Sequence, residues 1–158
     1  MKLKLFSTYC WIYVLCPIWS FIINLIFFIV HINEYQKVKL KKLVIKSSIL
    51  TNIITQFKWK EDNLKDWIPW IYTLICNDFK DDCDGAATLA KYWYKENNIK
   101  SRLVFIYTED FSFGHCICVV NDNKEFISNN QIIEINSNNW KQDILDYFSG
   151  KYSLIIEK

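Results

Sequence analysis

The sequence predicts an α+β domain, helices first and an antiparallel sheet after them, preceded by an apolar N-terminal helix. Three observations carry that expectation. Residues 6–32 contain no Lys, Arg, Asp or Glu, a run longer than the roughly twenty residues a helix needs to cross the hydrocarbon layer. Residues 40–98 place apolar side chains at helical spacing in successive segments. Residues 102–156 alternate instead, in short runs broken by turns, and a block of helices followed by a block of strands is an α+β order.

With 158 residues the chain has room for one domain and little else. It divides into an apolar membrane-anchor segment, 1–35, a connecting amphipathic helix, 36–58, and a globular domain, 59–158. The formal charge of +2 is small and its lysines and acidic residues are interspersed, which argues against a nucleic-acid partner.

Lys2 and Lys4 precede the apolar run as in a signal peptide, yet no small-x-small cleavage pattern follows and the run is long for a signal core. Retention as an anchor through residues 6–32 is the expectation. Lys37, Lys39, Lys41, Lys42 and Lys46 follow the run and outnumber the positive charges before it, which places the domain in the cytoplasm. Pro17 interrupts the run and leaves room for two short helices in an interfacial hairpin. Ser7, Ser20 and Asn24 are polar breaks that leave open a plain core-packing arm.

Next, Leu40, Leu43, Val44, Leu50, Ile53, Ile54 and Phe57 have helical spacing, which predicts one helix over 40–57. Residues 59–67 are a charged loop. Trp67, Ile68, Trp70, Ile71, Leu74 and Ile75 form a short apolar helix with Pro69 in its first turn. Asp81 or Asp82 caps a helix running to about Asn98, whose inner face is Ala86, Ala87, Leu89, Ala90, Trp93 and Tyr94. Strands follow at 102–107, 115–120, 125–128 and 132–135, the middle pair joined as a hairpin through Asn121-Asp122-Asn123. A helix over 138–148 with an Asn cap and a strand over 152–156 complete the order.

Six cysteines are present, two in the apolar run and two, Cys116 and Cys118, on one face of a strand among Ile and Val. Buried thiols of that kind behave as small hydrophobes and fit a reducing compartment. The Cys116-Ile117-Cys118 spacing is wrong for zinc and only two histidines exist, so no metal and no cofactor are expected.

Chemistry concentrates in Asp81-Asp82-Cys83-Asp84-Gly85-Ala86-Ala87 and, some thirty residues later, Phe113-Gly114-His115-Cys116. Cys83 falls in the first turn of its helix, where free N–H groups and the helix dipole favour thiolate. His115 is the only histidine after the apolar run, hence the only candidate base. The Cys83 backbone N–H is a natural oxyanion donor. A catalytic imidazole needs a third group to hold its ring. A three-residue hairpin turn pairs His115 with Asn129 and a four-residue turn pairs it with Asn130. Asn129 is preferred, with Asn130 and Ser128 as register alternatives. Cys76 is the competing nucleophile but closes an apolar helix and reads as core; Trp59, Trp67 and Trp70 are candidates for a substrate-cleft lining, with core packing or sheet cover the preferred reading.

Asp-Cys-Asp-Gly-Ala-Ala opening a helix, Gly-His-Cys-Ile-Cys-Val on a strand and Phe-Ile-Ser-Asn-Asn on the next resemble the transglutaminase-like cysteine proteinase superfamily, over residues 59–135. Asp81 stands where the family commonly has Gly, and Gly85-Ala86-Ala87 where it has Asp-Phe-Ala. The resemblance implies a papain-like core with Cys83 as nucleophile, His115 as base and Asn129 orienting the ring. It also implies acyl transfer at a peptide or isopeptide bond of a protein or peptide substrate, ending in hydrolysis or transamidation. A catalytically silent binding domain of the same fold, tethered to a membrane, is the alternative expectation.

Overall fold

The computed structural model describes residues 11–61, 67–120 and 122–157. Lys2, Lys4, Cys10, most of the charged loop and Asn121 of the hairpin turn lie outside the described residues. A π-helical turn, Trp11–Leu15, leads into α1, Cys16–Val30. Then come α2, Tyr35–Ser47, and α3, Leu50–Ile54. A two-residue strand β1, Lys58–Trp59, precedes α4, Ile71–Cys76, β2, Lys80–Asp81, and α5, Cys83–Glu96. The sheet is made by β3, Ser101–Tyr107, β4, Gly114–Val120, β5, Glu125–Ser128, and β6, Gln131–Glu134. Helix α6, Trp140–Tyr147, and strand β7, Leu154–Glu157, end the chain.

The five-stranded sheet runs β6-β5-β4-β3-β7 with every neighbour antiparallel. The α+β order expected from the sequence is therefore present. Alternation in the strands divides the core. Leu103, Cys116, Cys118, Val120 and Ile127 face α5, where Ala87 and Ala90 allow close approach. Val104, Ile106, Ile117, Val119 and Phe126 face Ile144 of α6 and Tyr152. A third cluster joins Val38, Ile45, Ile53 and Phe57 to Leu74, Ile75 and Leu89. Residues 36–58, read as a connector, thus also contribute core side chains.

Two helices differ from the sequence expectation. The single helix over 40–57 is broken at Ser48, which is extended at φ −89° and ψ 159°. The hydroxyls of Ser47 and Ser48 turn back onto the Leu43 and Val44 carbonyls, a local competition that ends helices. The apolar helix expected from Trp67 begins only at Ile71. The Ile68 and Trp70 N–H groups donate to Ser20 and Asn24 of α1, at 2.8 and 2.7 Å, so Pro69 lies before the helix and not in its first turn.

Helix α1 has its polar residues inside. Cys16, Ser20 and Asn24 are buried at i, i+4 spacing, while Ile18, Phe21, Ile22, Leu25, Ile26 and Ile29 are exposed. Pro17 stands in the first turn of α1, directly after the π-helical turn. Together with the end of the π-helical turn this helix is long and apolar enough, over Tyr13–Val30, to cross a membrane, a property shared by signal sequences.

Candidate active site

The first turn of α5 is built by its acidic flanks. Asp82 is the N-cap, and its Oδ1 accepts the Asp84 N–H at 3.2 Å. Asp81 Oδ1 accepts the Asp82 N–H at 3.0 Å. Capping by side-chain oxygen satisfies helix donors that have no backbone partner. At the other end Asn98, at φ 59°, closes the helix with Ile99 N–H donating to Tyr94 O and Asn98 N–H to Lys95 O, the left-handed cap expected at Asn97-Asn98.

Gly85 and Asp81 fit one another. A Cβ at Gly85 would lie 2.4 Å from Asp81 Cβ, so the carboxylate side chain occupies space that only glycine leaves open. Asp81 and Gly85 are therefore one complementary packing pair. Gly114 serves the same purpose on the strand side, where a Cβ would meet the Tyr107 ring at 2.6 Å.

Cys83 Sγ accepts the Cys116 N–H at 3.4 Å, a contact that favours thiolate over thiol. Opposing it, the carboxylates of Asp81, Asp82 and Asp84 have oxygens within 4.8 Å of one another. That spacing would let one cation bridge them, and two of the three already act within the helix cap.

Because strand residues alternate, His115 emerges on the face opposite Cys116. Its ring meets Phe148 edge-on at 5.4 Å and stacks near Tyr152 at 6.3 Å. The imidazole hydrogen-bonds through Nε2 to Ser128 Oγ at 2.9 Å, and Ser128 is buried. Burial, then the Lys151 charge, push the imidazole pKa down to about 4, so the ring is neutral at pH 7 and able to accept a proton. Cys83 and His115 line one cleft around the start of β4, about 50 Å³ in volume, with Cys16, Ile68, Phe105 and Tyr107.

Asn129 is not opposite His115. The pairs Cys118↔Ile127 and Val119↔Phe126 put a four-residue connection, 121–124, between β4 and β5, and Ser128↔Gln131 leaves Asn129 and Asn130 as the turn to β6. Asn129 has φ 52° there, a conformation asparagine tolerates. Its Oδ1 is buried without a hydrogen-bond partner among the described residues. Parity decides the matter: Phe126 shares the face of Val119 and His115, so Ser128 does too, one diagonal step from the imidazole. Ser128, the register alternative, is the group the structure brings to His115.

Three other thiols are less acidic than an ordinary cysteine. Burial pushes Cys118 up to about 12 and Cys116 well above the ordinary thiol value, and raises Cys76. Sequence reasoning missed Cys16, Ile68, Phe105 and Tyr107 as cleft residues. Only Tyr107 left a signal, as an aromatic placed across from a glycine in the register Tyr107↔Gly114. Compared with known proteins, the chain matches no family model, no curated protein and no solved structure.

Proposed function

We propose that the domain is a thiol-dependent amide-bond hydrolase or acyltransferase of the transglutaminase-like type, with Cys83 as nucleophile, His115 as base and Ser128 orienting the imidazole. The observation that carries the reading is one cleft lined by a helix-start cysteine and a histidine whose Nε2 is tied to a buried hydroxyl. With Nε2 engaged, Nδ1 is the nitrogen left to take the thiol proton, the division of labour a thiol–imidazole pair requires.

In that scheme Nδ1 takes the proton from Cys83 Sγ and the thiolate attacks the amide carbon. The Cys83 N–H is the oxyanion donor. The tetrahedral adduct collapses, the C–N bond breaks, and the imidazolium returns its proton to the departing amine. Water or a second amine then attacks the thioester and releases the thiol. The substrate is a protein or peptide, and no cofactor enters. Residues 6–32 hold the domain to a membrane, on the cytoplasmic side by the lysine bias of 37–46.

A catalytically silent binding domain is the second reading. The emergence of His115 on the strand face opposite Cys116, whose N–H reaches Cys83 Sγ, and the low basicity of the buried imidazole favour it. Iodoacetamide labelling, mapped by mass spectrometry, separates the two. Cys83 is expected to label well below pH 8, and His115→Ala to move that labelling to higher pH. Slow labelling that is the same in wild type and variant would sink the enzyme reading.

A further inference from the structure

We infer that the protein seats on a single anionic phospholipid leaflet, with α1 lying along the surface and α2 beside it, instead of crossing the bilayer. The inner stripe of α1 argues first. Asn24 is 0% exposed. Its Oδ1 accepts the Trp70 N–H and the Thr73 hydroxyl, each at 2.7 Å, and its Nδ2 donates to Ser20 O and Ile68 O. Ser20 Oγ accepts the Ile68 N–H, and the Tyr72 hydroxyl donates to His31 O. A helix crossing the bilayer would have to abandon these bonds or draw the polar backbone of 68–73 into hydrocarbon with it. Either leaves several buried polar groups without partners in a medium that offers none.

The outer face argues for lipid over a second copy of the chain. Ile18, Phe21, Ile22, Leu25, Ile26 and Ile29 are 39–61% exposed. At 100° per residue they span about 140° of the helix circumference, broader than the two-position seam of paired helices. Such a face fits the headgroup–acyl boundary.

Helix α2 supplies the charge. Val38 and Ile45 are buried, while Leu40, Leu43 and Val44 on its opposite side are 59–66% exposed. By helical geometry Lys39 and Lys46 flank that outer stripe on one side and Lys37 on the other. The helix contains five lysines and no acidic residue; Lys37, Lys41 and Lys46 are paired with Glu34, Asp78 and Glu96, and Lys39 and Lys42 are the ones left for anionic headgroups. Both α1 and α2 pack against α4, so neither apolar stripe can turn toward the domain.

Cys16 of α1 lines the cleft with Cys83 and His115. Resting on the function proposed above, the substrate would therefore be met at the membrane surface. The seating itself does not depend on catalysis, and Cys83→Ala should bind lipid as wild type does.

The test uses the full chain and two readouts. In flotation with vesicles, it should rise with phosphatidylcholine–phosphatidylglycerol mixtures and much less with phosphatidylcholine alone. Leu43→Glu and Lys39→Glu, both at exposed positions, should each weaken binding at least about fivefold, the effect of roughly 1 kcal/mol per surface charge. Tags at the two ends, probed by protease on sealed membrane vesicles, should be cut from the same side. A tag protected at one end only would establish a spanning helix and overturn the proposal. So would equal binding to both vesicle types, or self-association into a dimer that does not float. The tag result needs no substitution and decides the matter even if a variant fails to fold.

Discussion

Helices α1 and α5 are built to opposite rules. Helix α5 turns Ala86, Ala87, Leu89, Ala90 and Tyr94 inward and keeps charges such as Lys91 and Lys95 outside, so burial of small apolar groups against the sheet holds it. Helix α1 turns Cys16, Ser20 and Asn24 inward and its aliphatic residues outward. Directional hydrogen bonds dock it, and its apolar surface is left for something other than the domain. The comparison teaches that apolarity and inwardness are separate properties. One helix presents its apolar side to the core, the other presents it outward.

The largest expected effect lies in the α1 dock. Asn24→Leu leaves the Trp70 N–H and the Thr73 hydroxyl buried without acceptors, and should destabilise the fold by about 3–5 kcal/mol in chemical denaturation. A neutral or stabilising result would mean that α1 does not dock this way, and the contrast with α5 would collapse.

Acid acts on the other region. Burial holds His115 at about 4, below the roughly 6.5 of an unfolded histidine. The unfolded chain therefore takes up a proton from about pH 6.5 downward while the folded chain does not. His115's contribution is intact above that pH and is lost as the pH falls through 4, by about 3 kcal/mol. Denaturation curves should show this loss in wild type and not in His115→Gln.

Smaller effects test the start of α5. Gly85→Ala should destabilise by about 1–3 kcal/mol through its clash with Asp81, even though alanine is the better helix former. Adding Asp81→Gly should recover much of the loss, because the two side chains compete for one space. Asp82→Ala should cost about 1 kcal/mol as a lost N-cap. Thermal melts of the two single variants and the double variant measure all of this.

Much of the fold was legible because it rests on local rules. Alternation from Ser101 to Val120, the Asn turns and the Asp82 cap each depend on neighbouring residues only. The break at Ser48 and the late start of α4 were not legible. Both arise where a side-chain oxygen wins a backbone partner from the helix, in one case across 46 residues, from Asn24 to Trp70. The pairing of β1 with β2, Trp59 beside Asp81, is likewise parallel and nonlocal.

The candidate site divides the same way. By itself the sequence determined that Cys83 opens a helix and that His115 begins a strand, since capping and alternation are written into the residues beside them. Only the tertiary structure decided which residue holds the imidazole. A single residue in the length of the connection between β4 and β5 changes the parity of the pairing, and with it Asn129 gives way to Ser128. Only the tertiary structure, too, decided that Ser20 and Asn24 face inward, because hydrogen-bond partners at 68–73 outweigh the apolar pattern that surrounds them.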